Sequence, residues 1–285
     1  AGISEGADVT TFTDKFASRA RLGNYVQKFR RDFMVSDLQE AVDSVGPAKV
    51  AQAEAKAIRE LKRDIEASIL SDVPLQAEAG NNTPYKMQGL GKWLGNAKTG
   101  NSATAPSNVP AEYLTPEASV EIDGENLTES ELNTLIRSIY RSNGEANNLT
   151  LIADTNLRKR VADFARFGLD GGANDNTVRA VNYDGNSSTI KLSVEIYQSD
   201  FGIVSIVNMN PETNPETIGA TAAPVAGATT KHDRGYLINP DYYGIHELIP
   251  MGSSRLPNMG GGERGFVDCA LTLGVYAPAA HGKIN

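Results

Sequence analysis

The sequence is poor in the residues from which disulfides, metal centres and many catalytic sites are made. Its 285 residues include 1 Cys, 3 His and 1 Trp. A single cysteine cannot form a disulfide within the chain, and no HExxH or CxxC spacing is present to hold zinc. Cys269 lies in the apolar run FVDCALTLGVY, where a thiol usually packs as a small hydrophobic group. We therefore expect no cofactor and no metal.

Long apolar runs and an excess of positive charge are also missing. No run approaches the roughly 18 apolar residues of a membrane span, and the start lacks the basic-then-apolar pattern of a signal peptide. We therefore expect a soluble protein, made in the cytoplasm, with no membrane partner. The formal net charge of −8 excludes tight, counterion-driven binding of nucleic acid by the chain as a whole, although it allows weak contact.

Two periodic patterns follow one another in the first quarter of the chain. The segment 23–36 alternates between apolar and polar residues, which predicts an extended strand. Its apolar side comprises Tyr25, Phe29, Phe33 and Val35. The segment 47–71 places apolar residues at steps of three and four, with Pro47 at a plausible first helical position. A helix of this length spans about 37 Å, which suits a spine lying under a flat domain.

The segment 73–124 has little periodicity and is predicted to be an exposed loop with one apolar anchor. That anchor is the motif MQGLGKWLG, centred on Trp93. A tryptophan in such a motif either completes the core of its own domain or contacts another subunit. The sequence leaves both alternatives open.

Helix and strand signals return in the second half. Thr128 and Glu131 form a capping box at the start of a predicted helix, and Gly144 ends it. NLTLIAD predicts a strand and TNLRKRVADFARFG a second helix. Two β-rich runs separated by QSDFG predict a hairpin, the stretch NPETNPETIGATAAPVAGATT a loop, and FVDCALTLGVYAP a long strand.

Few motifs suggest chemistry. His246 and Glu247 are adjacent, so on a strand their side chains point to opposite faces and do not make a catalytic couple. GLDGGANDN lacks the last carboxylate and the glycine position of a calcium loop, and we interpret it as a turn. MGGGERG matches no phosphate-binding fingerprint, so its glycines are expected to allow a sharp turn. The sequence therefore does not predict an enzyme.

A series of segments in a characteristic order resembles the major capsid proteins of tailed bacteriophages. The segments are EGADVTTF, RARLGNYVQKFRRDFMVSDLQEAV, AKAIRELKRDIEASILS, GLGKWLGN, TESELNTLIRSIYRSNG, LIADTNLRKRVADF, VEIYQSDFGIVSIVNM, YLINPDYYGIHELIP and AHGKI. Each is a short helix or strand pattern, and their order over most of the chain carries the resemblance. Family members have an N-terminal arm ahead of EGADV, so we expect an upstream segment that was cleaved or is absent from this sequence.

The resemblance implies an α+β fold of the Hong Kong 97-like type. It assigns residues 1–44 to the N-terminal arm and extended loop, and residues 45–125 to a peripheral domain containing the spine helix. Residues 126–234 would form an axial domain, and residues 235–285 would return to the peripheral domain. The implied function is self-assembly through hexamers and pentamers into an icosahedral shell around double-stranded DNA, which the chain would touch only weakly. Portal, decoration and scaffolding proteins are the other implied partners, and the virion is the implied location.

Within that scheme we expect the strand at 25–35 to reach a neighbouring subunit. Tyr25, Phe29 and Phe33 would lie on the neighbour's peripheral domain, while Arg30 and Arg31 would pair with its acidic residues. Trp93 is a further candidate contact. Three other interpretations remain open at this point: an encapsulin-like compartment of the same fold, a phage or secreted adhesin, and an unrecognised hydrolase.

Overall fold

The structure is a computed structural model that describes residues 21–42, 49–80, 83–101, 103–144, 146–164, 195–210, 213 and 233–285. The predicted turn GLDGGANDN and nearly all of the predicted loop NPETNPETIGATAAPVAGATT lie outside these residues. So do Pro47 and the whole of the segment EGADVTTF. The fold combines helices with two separate sheets, which agrees with the α+β prediction.

A three-stranded antiparallel sheet and a long helix form the first region. The sheet has the order β1 (Gln27–Val35), β8 (Glu263–Val275), β7 (Tyr243–Leu256). Helix α2 (Lys49–Leu70) packs on β1 and β8, as the spine prediction anticipated for the residues described. The short helix α1 (Asp37–Ala41) follows β1 and buries no side chain.

The first hydrophobic core lies between α2 and this sheet. It also receives the short helix α3 (Leu90–Trp93), whose position confirms MQGLGKWLG as an apolar anchor. Leu61 of α2, Trp93 of α3 and Leu273 of β8 are at most 1% exposed. Packing therefore joins α2, the loop region and the late strand β8 into one unit.

A mixed six-stranded sheet forms the second region. Its order is β2 (Val120–Glu121), β9 (Gly282–Ile284), β6 (Gly235–Ile238), β3 (Leu149–Ala153), β5 (Gly202–Asn208), β4 (Ile196–Ser199). The antiparallel pair β4 and β5 confirms the hairpin predicted around QSDFG. Helices α4 (Glu129–Asn143) and α5 (Thr155–Phe164) contribute apolar side chains to the core of this region.

Helix α4 begins and ends as its sequence predicted. The Thr128 hydroxyl accepts from the Glu131 backbone N–H, and the Glu131 carboxylate accepts from the Thr128 backbone N–H. Gly144 follows the helix with a φ of 78°, a left-handed conformation that favours glycine. The apolar stripe Leu132, Leu135, Ile136 and Ile139 is buried.

The two sheets draw on the chain differently from the predicted ranges. Strand β1 lies within the range 1–44 assigned to the arm and extended loop, yet it pairs along its whole length with β8. Strands β6 and β9 lie within the range 235–285, yet they belong to the six-stranded sheet.

Candidate assembly surface

The strand β1 presents one apolar side and one polar side, and the apolar side faces its own helix. Phe29 and Phe33 are 7% and 8% exposed in the first core. Their burial corrects the expectation that these two side chains lie on a neighbouring subunit. The alternation correctly predicted a strand. The apolar side of that strand packs on α2 of the same chain, which follows β1 closely in sequence.

The two arginines of β1 also find partners within the chain. Arg31 donates from Nε to Asp64 Oδ2 at 2.7 Å and from its terminal guanidinium nitrogen to Asp64 Oδ1 at 3.1 Å, which ties β1 to α2. This carboxylate raises the pKa of Arg31. Arg30 pairs with Asp32 at 2.7 Å, and its guanidinium lies 4.4 Å from the ring centre of Phe266. Both arginines remain about half exposed, so a further contact with a neighbour stays a prediction.

Tyr25 and Trp93, the other two candidate contacts, differ in exposure. Tyr25 is 36% exposed, so it remains available to a neighbour. Its ring contacts that of Tyr85, with the centres 5.4 Å apart and the planes tilted by 44°. Trp93 is 1% exposed and belongs to the first core. Of the two alternatives left open for Trp93, this burial favours the one in which it completes its own domain.

A larger accessible surface lies on β7, where the sequence analysis placed no contact. β7 forms one edge of the three-stranded sheet, and nearly all of its residues are exposed. Leu248 is 70% exposed and Ile249 is 44% exposed. Exposed apolar residues along a sheet edge are typical of surfaces that associate. The adjacent apolar residues in HELIP were the sequence signal, since strict alternation would have placed a polar residue there.

A buried ion cluster joins the two regions. Asp72, just after α2, accepts from Lys283 Nζ at 2.8 Å and from an Arg234 guanidinium nitrogen at 2.7 Å. Lys283 is completely buried on β9, and this burial lowers its pKa to about 8, although the Asp72 carboxylate acts to raise it. The Tyr236 hydroxyl donates to the Leu70 carbonyl at 2.7 Å beside it. These bonds attach the end of the spine helix to the six-stranded sheet.

Cysteine and histidine, the residue types most often used in catalysis and metal binding, form no such site in the described part of the chain. Burial raises the pKa of the Cys269 thiol, which keeps it protonated and unreactive. His246 lies 2.6 Å from the Tyr276 hydroxyl on the exposed side of β7. Among the described residues no group of His, Cys, Asp and Glu could hold a metal ion. No helix in the described part of the chain is long and apolar enough to cross a membrane.

A match to a family model identifies the family of this chain. The model described as SU10 major capsid protein matches residues 3–285. The chain belongs to this family. It is thus a major capsid protein of the tailed-phage type, which builds the shell and is not an enzyme.

Solved structures agree on the fold. The chain is similar to the mature capsid protein of bacteriophage PhiM1, with a TM-score of 0.53 and 10% identity over 100% of this chain and 79% of that chain. It is also similar to the capsid of an empty GTA particle, with a TM-score of 0.50 and 11% identity over 96% and 80% of the two chains. These likenesses confirm the Hong Kong 97-like fold. A comparison with curated protein sequences gave no match.

Proposed function

We propose that this capsid protein assembles as hexamers and pentamers into a closed icosahedral shell that encloses double-stranded DNA. The observation that carries the proposal is the family match over residues 3–285. Physical support comes from the exposed edge strand β7, because a shell needs many moderate contacts that close by symmetry. The net charge of −8 limits contact with the packaged DNA to weak, non-specific binding.

The two regions correspond, in this proposal, to the two domains of the fold. The first core, with α2 and the three-stranded sheet, would be the peripheral domain, and the six-stranded sheet with α4 and α5 would be the axial domain. Tyr25, Arg30 and Arg31 remain proposed subunit contacts because each keeps an accessible surface on β1 or just before it. Portal, decoration and scaffolding proteins would join during assembly in the cytoplasm of the bacterial host.

Electron microscopy of the purified chain, with absorbance at 260 and 280 nm on the same sample, tests this proposal. We expect closed shells with five-fold vertices, and nucleic acid inside when they form in a phage-infected host. Shells that instead contain a co-purifying enzyme would indicate an encapsulin-like compartment. Small uniform particles under all salt and pH conditions would contradict shell assembly.

A further inference from the structure

The exposed face of the spine helix carries a stripe of positive charge. Four charged residues of α2 are exposed, and all are basic: Lys56, Arg59, Lys62 and Arg63. They recur at steps of three and four, which places them along one side of the helix. The acidic residues of α2 are less exposed, and Asp64 and Glu54 are held by Arg31 and Ser253. The chain as a whole is negatively charged, so this stripe is a local region of the opposite charge.

The stripe continues into an apolar groove at the other end of the helix. The groove has a volume of about 280 Å³ and lies between α2, β3, β6 and the sheet of β7 and β8. Apolar residues that line it include Ile65, Ile69, Ile152, Ile238 and Ile245. Lys62 borders both the groove and the basic stripe. A surface with an apolar centre and a charged rim has the anatomy of a protein–protein contact.

The same chain carries a surface of opposite charge. Between Lys98 and Arg137 the sequence contains no basic residue. Its acidic residues there are Glu112, Glu117, Glu121, Asp123, Glu125, Glu129 and Glu131. Glu112, Glu117 and Asp123 are exposed, and Ile122, which lies between Glu117 and Asp123 in the sequence, is 43% exposed. Glu121 of this segment already pairs with Lys98 at 3.8 Å. An isoleucine beside carboxylates complements an apolar groove beside lysines and arginines.

Lys56 pairs with Glu60 at 3.8 Å, but several other charged residues of the two surfaces form no ion pair among the described residues. Among the described residues Lys62 makes no ion pair, and Arg59 only reaches the backbone carbonyl of Ala55. Glu112 and Glu117 likewise pair with no described cation. Because basic and acidic surfaces occur on every copy, each copy can supply one half of a contact and receive the other half.

We propose that the exposed face of α2 is the docking site for the acidic surface around Ile122 of a second copy. Ile122 would enter the groove, while Arg59 and Lys62 would meet Glu112 and Glu117. Two different surfaces of one chain make a head-to-tail contact, which closes into a ring at the right rotation. The inference rests on the self-assembly proposed above and names one contact within it.

Charge reversal on each surface separates this contact from general effects on folding. The helix variant carries Arg59→Glu and Lys62→Glu, and the acidic variant carries Glu112→Lys and Glu117→Lys. All four side chains are free of described carboxylate or cation partners, so the thermal unfolding midpoint should stay near that of the wild type. Like charges would then oppose each other in the contact. Either variant should raise the protein concentration needed for shells by about tenfold or more, measured by light scattering and electron microscopy.

Combining all four substitutions in one chain provides the decisive test. The charges are then opposite again, and shells should return at nearly the wild-type concentration. The matched control Arg59→Lys with Lys62→Arg keeps the charge and should assemble normally. A fourfold variant that stays unassembled would overturn the contact. A helix variant that forms normal shells would also overturn the contact. If those shells held less DNA than wild-type shells, the basic stripe would bind nucleic acid instead. Wild-type protein that never forms shells would overturn self-assembly itself, and this contact with it.

Discussion

The two regions of this capsid protein differ in how completely they satisfy themselves. In the six-stranded region α4 and α5 supply apolar side chains to a core with strands on several sides, and α4 is capped at both ends. In the three-stranded region α2 covers one face of the sheet, while β7 leaves a long edge and several apolar side chains exposed. The six-stranded region exposes apolar residues as well, namely Ile196, Ile203 and Val207 on the hairpin of β4 and β5. In the three-stranded region they lie along one long edge strand, a surface that a subunit of a larger assembly can use.

The largest effect is expected at the buried cluster that couples the two regions. Asp72→Asn removes the carboxylate that balances Lys283, which is completely buried, and Arg234. Removing one partner of a buried ion pair typically costs about 3–5 kcal/mol. The free energy of unfolding, measured in urea, should fall by that amount.

Two control variants show whether the charge is the cause. Adding Lys283→Met to Asp72→Asn removes the uncompensated ammonium group and should restore part of the loss. Asp123→Asn changes an exposed aspartate and should have a much smaller effect. If Asp72→Asn unfolds at the wild-type urea concentration, the cluster does not couple the two regions.

The second effect is a loss of stability in acid, which originates at His281, just before β9. His281 is completely buried, its Nδ1 accepts from the Asn239 backbone N–H at 3.1 Å, and burial lowers its pKa to about 4. In the unfolded chain the pKa of this histidine is about 6.5, so the unfolded chain binds the proton more readily than the folded chain does. The contribution of His281 is therefore present above pH 6.5 and is lost as the pH falls to about 4. It amounts to about 3 kcal/mol.

Thermal unfolding between pH 7 and pH 4 checks this prediction. His281→Asn lacks the titrating group and should lose less stability over that range than the wild type. His246→Asn replaces an exposed histidine and should behave like the wild type. Parallel curves for the wild type and His281→Asn would exclude His281 as the cause.

Local patterns predicted much of the six-stranded region and of the spine. Thr128, Glu131 and Gly144 act through neighbours three to four residues away or through their own backbone, so their sequence spacing sufficed to place α4. The spacing of apolar residues likewise predicted α2. The junction could not be predicted, because Asp72, Arg234 and Lys283 are far apart in sequence and their meeting depends on how the two sheets pack.

The burial of Phe29 and Phe33 could not be predicted for a related reason. Alternation shows that Phe29 and Phe33 share one side of a strand, but it does not show whether that side faces the same chain or another. The structure places α2 against it. The exposed edge of β7 was missed because exposure of Leu248 depends on β7 being the last strand of its sheet, which is a property of topology.

The smallest effect is expected for Arg31, and it tests whether this residue of β1 contacts only its own chain or also a neighbour. Its bond to Asp64 links two elements of one chain, but both side chains are more than 40% exposed. Exposed pairs contribute about 0.2–1 kcal/mol, so a double-mutant cycle with Arg31→Ala and Asp64→Ala should give a coupling energy in that range.

If the pair only ties β1 to α2, Arg31→Ala should assemble into shells as the wild type does. If Arg31 also meets a neighbour, Arg31→Ala should weaken assembly more than Asp64→Ala, although both remove the same internal bond. Equal assembly by the two variants would therefore remove Arg31 from the proposed subunit contacts.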